Sequence, residues 1–294
     1  MLKMTNRDVV NKILEYHPKI ENYSGCDCFK SGHEDDVCTG VAVCLDPSMN
    51  AIKRAVDAGC NLVVTHETLF YQTPDYKIWK GDYKNKIFSE KDEYIKRHRV
   101  AVFRDHDHMH FHQPDCIFTG VMKELGWEKY YVKPVERDFS YIFDFGFEGF
   151  VYSDIIELFK EKINFNGIKY LGDKNMKIHK AAIVGHMCPN CFYPDHEEKD
   201  GTYHDYSMDI IKLMEENGVD LIIPGETIDW TVPAYIRDAN ELGHPKALMN
   251  IGHYNMEELG MKDFAKVIQK LVCSDLKVEY LQSKDSFNYI NFRK

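Results

Sequence analysis

The feature that most constrains this chain is the alternation of short β-rich runs with segments of helical spacing. Residues 37–45 (VCTGVAVCL), 61–65 (NLVVT) and 100–104 (VAVFR) are nearly continuous apolar runs of strand length. That is the pattern of strands covered on both faces. Between them, residues 48–58 have helical spacing, with Pro47 and Ser48 at the start and Gly59 just past the end, and residues 88–98 form a charged, exposed helical pattern. Residues 114–125 form another helix, closed by Gly126.

The middle of the chain changes character. Residues 130–135, 141–147, 169–171 and 180–184 read as strands, and 153–163 as a helix. Regular alternation then resumes: helix 206–216, strand 220–223, helix 232–242, strand 247–251, helix 256–271 and strand 278–281. The expectation is an α/β protein with two lobes of mostly parallel sheet covered by helices. Residues 1–128 with 245–294 are expected to make one lobe, which binds metal, and residues 129–244 the other. The polar stretch 188–203 is expected to be a long surface loop.

Three of the strands end in residues that bind metals. Residues 61–65 lead into His66-Glu67. Residues 100–104 lead into Asp105 and a cluster that holds four of the 14 histidines, His106 to His112. Residues 247–251 lead into Gly252-His253 and Glu257. Ligands of open parallel sheets bind beyond the carboxyl ends of strands, so three such ends suggest one site. A single histidine after a strand is ordinarily a polar cap; the repetition is what points to metal. Adjacent side chains at a strand end point in different directions, which suits His66 and Glu67 to two neighbouring ions. His106 and His110 are four residues apart, as are His253 and Glu257, a spacing that shares one face of a helical turn. The expected ligands are therefore His66, Glu67, His106, His110, His253 and Glu257, holding two divalent transition-metal ions. Imidazole and carboxylate without thiolate suit Zn, Mn, Fe, Co or Ni. His108 and His112 share the same spacing and remain an alternative pair.

Composition narrows the rest. At 294 residues, 44% hydrophobic and 29% charged, the chain has ordinary globular make-up and room for a real core. No apolar run approaches the length of a bilayer span, and residues 1–17 lack the apolar core of a signal peptide. The expectation is a cytoplasmic protein with no membrane partner. A net charge of −10 without a basic stripe argues against nucleic acid. The nine cysteines are odd in number and scattered, as expected of reduced, mostly buried thiols. A zinc at Cys188 and Cys191, with His186 and His196 nearby, rests on one C-x-x-C and is a weak signal. The stretch Cys26, Cys28, His33, Cys38 falls one residue short of a zinc knuckle. No phosphate loop and no G-x-S-x-G segment is present.

The ligand segments resemble the NIF-three-like dinuclear-metal family, often labelled GTP cyclohydrolase type 2-like. Its landmarks are T-H-H-P after one strand, H-x-x-x-D after another, T-G-E, and a closing G-H-x-x-x-E. Here they read Thr65-His66-Glu67-Thr68, His106 to His110, Pro224-Gly225-Glu226, and Gly252-His253 to Glu257, in the family's order over most of the chain. Two departures offset each other. Glu67 stands where the family has its second histidine, and His110 where it has aspartate, so the set keeps four imidazoles and two carboxylates. The glycine-rich turn expected after Val184 is replaced by Gly185-His186. The resemblance implies a metal-dependent hydrolase of cyclohydrolase or phosphatase type, acting on a small nucleotide- or pterin-like molecule and assembled as a homo-hexamer. A non-catalytic metal chaperone, sensor or assembly platform is the alternative. The resemblance also implies a role for Glu226, as catalytic base or as an acceptor behind a ligand. Asp46 and Tyr254 are weaker candidates. The exposed-looking aromatics Tyr71, Tyr76 and Trp79 are the only bottom-up hint of an interface.

Overall fold

A computed structural model describes residues 3–132, 140–189 and 195–290. The chain divides into two compact units, one made of Met1–Val121 with Glu258–Ser283 and the other of Met122–Glu257 with Lys284–Lys294. Both carry helices on sheets.

The first unit holds a four-stranded, all-parallel sheet in the order Val278–Tyr280, Val41–Cys44, Leu62–Thr65, Ala101–Arg104. The three strands from Val41 to Arg104 are buried throughout, as continuous apolar runs require when both faces are covered. One core cluster joins Ala42, Val63 and Val102 to Ile52 and Ala55 of helix Met49–Asp57 and to Ile95 of helix Lys86–Arg97. Ser48 starts the first of these helices by accepting from the Ala51 amide at 3.2 Å. Thr5 and Asp8 cap helix Asn6–Tyr16 reciprocally, a capping box. Register matters most for function. Cys44 pairs with Thr65, and Thr65 with Arg104, so Leu45, His66 and Asp105 emerge together at the carboxyl edge. Helix Cys116–Leu125 approaches the helix running from His253 to Leu271 at two glycines. A Cβ on Gly120 would stand 2.8 Å from Gly260 Cα, and one on Gly260 2.6 Å from the Ile117 carbonyl.

The second unit is built on a six-stranded mixed sheet, ordered Tyr131–Val132, Ser140–Asp144, Lys180–Met187, Leu221–Thr227, Ala247–Asn250, Lys169–Leu171. Its centre is parallel and its outer pairings antiparallel. Ile210, Leu213 and Met214 of helix Tyr206–Glu216 and Ile236 of helix Val232–Glu241 pack on Ala182, Val184, Ile222 and Leu248. Asp205 caps the first of these helices at the Met208 amide, 3.0 Å away.

The sequence reading grouped residues 245–294 with the first lobe; the structure draws the line elsewhere. Strand Ala247–Asn250 pairs with Leu221–Thr227 and lies in the second unit. The expected strand 130–135 runs in part outside the described residues, as does the Cys188–Cys191 loop, where Cys191 is not described. Cys188 is disulfide-bonded, which departs from the expectation of uniformly reduced thiols. Cys26, Cys28, Cys38, Cys44, Cys60, Cys116 and Cys273 take part in no disulfide. Among the described residues no helix is long and apolar enough to cross a membrane.

Candidate metal centres

In the first unit the carboxyl edge of the sheet carries three histidines that meet. His66 follows strand Leu62–Thr65, and its amide donates to the Leu45 carbonyl at 3.2 Å, which seats it against the next strand. Asp105 is tied in the same way to the Thr65 carbonyl at 2.8 Å. His106 then opens the short helix Asp107–Phe111, and the His110 amide donates to the His106 carbonyl, which puts both rings on one side of the turn. The start of that helix is held by Asp27. Its Oδ1 accepts from the amides of His106 and Asp107, and its Oδ2 from the amide and Nδ1 of His108. A carboxylate at exposed helical amides is the favourable arrangement there.

The ring centroids of His66, His106 and His110 lie 4.5 to 4.9 Å apart. Each Nδ1 has an acceptor of its own. His66 Nδ1 donates to the Asp105 carbonyl at 3.1 Å, His106 Nδ1 to Asp107 at 2.8 Å, and His110 Nδ1 to Asp115 at 2.5 Å. Carbonyls and ionised carboxylates only accept, so the ring proton sits on Nδ1 and the lone pair on Nε2. The Nε2 atoms of His66 and His110 then face each other at 3.2 Å. Two lone pairs at that distance repel in neutral rings, and a cation bound to both relieves the repulsion. Outer acceptors that fix the tautomer of each imidazole are the usual surroundings of metal-bound histidine. The donor set fits a divalent transition-metal ion.

The carboxylates around this group are well placed. His106, the Tyr23 hydroxyl and the Cys26 amide hold the Asp107 carboxyl far below its usual range. Asp115 Oδ1 also accepts from the Phe118 amide at 3.1 Å, capping the next helix. Glu67 is almost fully buried, and its Oε2 lies 3.9 Å from Arg104, which also bonds to the His66 carbonyl and to Asp75. His108 is turned to Asp27 and His112 to His17, so of the two candidate pairs it is His106 and His110 that join His66.

A second group forms in the second unit from His186, His253 and Glu257. Glu257 is buried and lies 3.4 Å from both His186 Nε2 and His253 Nε2. The two rings are 3.8 Å apart. Their approach depends on Gly225, where a Cβ would stand 2.7 Å from His186 Nδ1. His253 Nδ1 lies 3.5 Å from Glu226 Oε1. His253 holds the Glu226 carboxyl below its ordinary range, although that side chain is exposed. The structure thus places Glu226 behind a candidate ligand. Two imidazoles and a carboxylate around a glycine cradle also fit a divalent ion.

The sequence-predicted residues therefore gather as His66, His106 and His110 in one unit and His253 and Glu257 in the other, while Glu67, beside Arg104, is in neither of these groups. His186 was missed. Strand Lys180–Met187 runs past Val184 and pairs His186 with Glu226, so this histidine sits in the strand and not beyond its end. Asp27, Asp107 and Asp115 were missed because their roles depend on which ring nitrogen each meets.

A "GTP cyclohydrolase 1 type 2 homolog" of Clostridium perfringens is 25% identical over 301 residues, covering 98% of this chain and 100% of that protein. Among solved structures, a Bacillus cereus protein related to NIF3 superposes with a TM-score of 0.70 at 12% identity, covering 99% and 100% of the two chains. A hypothetical protein of Staphylococcus aureus gives 0.69 at 17%, covering 98% and 100%. Both structures carry the same α/β fold. The model of the family described as Duf34/NIF3 (NGG1p interacting factor 3) matches residues 4–187, more than half of the sequence, and the chain belongs to that family.

Proposed function

We propose that the protein is a metal-dependent hydrolase that holds one divalent transition-metal ion on His66, His106 and His110 and another on His186, His253 and Glu257. The observation that carries this reading is the first group: three imidazoles, each tied at Nδ1, with one donor nitrogen of each within 4.8 Å of the others and the Nε2 atoms of His66 and His110 facing at 3.2 Å. When bound, an ion at such a group supplies Lewis-acid activation of water and of a carbonyl or phosphoryl oxygen. The chain's own residues do the rest. Asp107, Asp115 and the Asp105 carbonyl fix the tautomers and ring directions. Glu67, the residue after His66, faces Arg104 at 3.9 Å and is not one of the three donors. Glu226 accepts at Oε1 from His253 Nδ1 and is ionised at neutral pH, because its carboxyl is held low. The likeness to the clostridial GTP cyclohydrolase 1 type 2 homolog supports a small nucleotide- or pterin-like substrate. The protein works as a homo-hexamer in the cytoplasm.

Elemental analysis tests the binding, and a screen of nucleoside triphosphates and pterins for ring-opening or phosphate release tests the chemistry. His106→Ala should remove about one ion per chain and leave the other. An unchanged metal content would sink the reading. Metal bound without turnover of any substrate class would leave binding and remove hydrolysis.

A further inference from the structure

A third cluster of donors lies in the first unit and takes no part in the function proposed above. His17 ends helix Asn6–Tyr16, His112 ends helix Asp107–Phe111, and Cys116 is the first residue of helix Cys116–Leu125. One donor atom from each lies within 4.8 Å of the others. The Cys116 thiol is free of any disulfide.

We infer that His17, His112 and Cys116 form a separate binding site for a thiophilic divalent cation of the zinc class.

Four observations lead there. First, His17 Nε2 lies 2.9 Å from Asp105 Oδ2, and both side chains are fully buried. With Asp105 ionised its carboxylate accepts, which puts the proton on Nε2 and points the lone pair of Nδ1 away from Asp105; burial pushes the Asp105 carboxyl up, and His17 opposes that shift. This is the carboxylate–histidine arrangement found behind metal ligands. Second, that Nδ1 faces His112 Nε2 at 2.8 Å. Two nitrogens on a tetrahedral ion with bonds of about 2.0 Å stand about 3.3 Å apart, so an opening of roughly half an ångström admits the ion. His112 is only partly buried. Third, aromatic rings wall the cluster. Phe264 stacks on His17 at 5.6 Å, and Tyr16 lies over His112 at 5.2 Å. Such walls limit solvent and lower the local dielectric. Fourth, a cleft of about 550 Å³ lined by Tyr23, Asp27 and His108 reaches His17 on one side of the cluster.

The donor set separates this site from the others. A thiolate with two imidazoles prefers zinc or a similarly soft ion, whereas all-imidazole and imidazole–carboxylate groups accept a wider range. Three protein ligands leave a fourth position to solvent. On binding, the Cys116 thiol gives up its proton, which passes to solvent. The ion would staple the end of helix Asn6–Tyr16 to the segment 112–116. Asp105 would feel it directly, because its side chain holds His17 while its carbonyl holds His66.

Cobalt(II) is the probe, since a cobalt–thiolate bond gives a charge-transfer band in the near ultraviolet that imidazole and carboxylate ligands do not. Titration of the full-length reduced protein should show that band, and Zn²⁺ should displace it. Cys116→Ser should abolish the band and weaken zinc at this site by more than about 100-fold, beyond what loss of an outer partner causes. His112→Ala should weaken the band strongly. His106→Ala should leave it intact, which separates this site from the proposed hydrolytic centre, and so should Cys26→Ser, which removes another nearby thiol. Circular dichroism of Cys116→Ser matching the parent confirms that the fold survives. Absence of the band in the parent, or its persistence in Cys116→Ser, would overturn the inference.

Discussion

In the first unit the donors are three imidazole nitrogens; in the second they are two imidazoles and the carboxylate of Glu257. The negative charge that offsets a dication therefore sits in different places. Around His66, His106 and His110 it lies one bond outward, on Asp107 and Asp115, which act through the rings. In the second unit it lies on a ligand, and the outer partner Glu226 is exposed and 3.5 Å away. The comparison teaches that the first group depends on its outer shell for tautomer, direction and charge. The second depends on its ligands and on the space that Gly225 leaves. An all-nitrogen set also leans toward softer ions, and the set with Glu257 toward harder ones.

The largest expected effect comes from breaking the first group at the ring that faces His66. His110→Ala should lower metal affinity there by more than about 100-fold, because it removes a ligand and leaves Asp115 without its ring. The second unit should keep its ion. Loss of both ions on this one change, read by elemental analysis, would show that the two groups are not independent.

Next in size is Gly225→Ala. The added methyl would stand 2.7 Å from His186 Nδ1, inside contact distance, so the ring must leave its place over the strand. Affinity of the second group should fall about 30- to 100-fold, with the first group unaffected. Manganese titration watched by electron paramagnetic resonance suits this site. A variant that binds as the parent does would mean that His186 is not a ligand.

These two experiments probe parts of the molecule that differ in how far they were legible from sequence. Strands Leu62–Thr65 and Ala101–Arg104 could be read because both faces are buried, so their apolar runs are unbroken, and because His66 and His106 follow at once. Helix Met49–Asp57 was legible through its caps: Ser48 accepts the amide that the pattern required. The pairing of His106 with His110 was legible because helical spacing puts both on one face. His186 was not, since nothing local shows that its strand continues two residues further along Glu226. Asp115 and Asp107 could not be assigned either, because spacing alone does not say which carboxylate meets which imidazole. The placement of residues 247–250 failed for a related reason. A buried strand ending in ligands looks the same in either sheet, and its pairing partner is a long-range fact. Cys116 read as one more buried thiol, although it is four residues from His112, because the third donor, His17, comes from a helix about a hundred residues earlier.

A smaller effect should follow from weakening the outer shell of the first group while keeping its ligands. Asp115 makes two bonds with two oxygens: Oδ2 accepts from His110, and Oδ1 caps the helix at Phe118. Asp115→Asn keeps one acceptor oxygen for both duties. Asparagine caps helices as well as aspartate does, so the thermal midpoint should move little. Metal affinity should fall about 10- to 30-fold, within the range for outer partners of metal-bound histidine. A large loss of thermal stability with unchanged affinity would reverse the assignment and make the carboxylate a cap alone.

The corresponding change in the second unit should do least. Glu226→Gln removes the charge behind His253, but the contact is long, 3.5 Å, and the side chain is more than half exposed. An exposed ion pair is worth under about 1 kcal/mol, and a hydrogen bond at this length is near the limit of what counts as one. Metal affinity should therefore change by about threefold or less. If Glu226 only steadies His253, turnover should follow metal occupancy and return to the parent's value once metal is saturating. If Glu226 instead takes a proton from the reaction, kcat should fall by about 100-fold or more at full occupancy, as loss of a general base does. The two outcomes separate cleanly because occupancy is measured apart from rate. An affinity loss as large as that of Asp115→Asn would show that the exposed carboxylate and the buried one do the same work, and the contrast between the two units would fail.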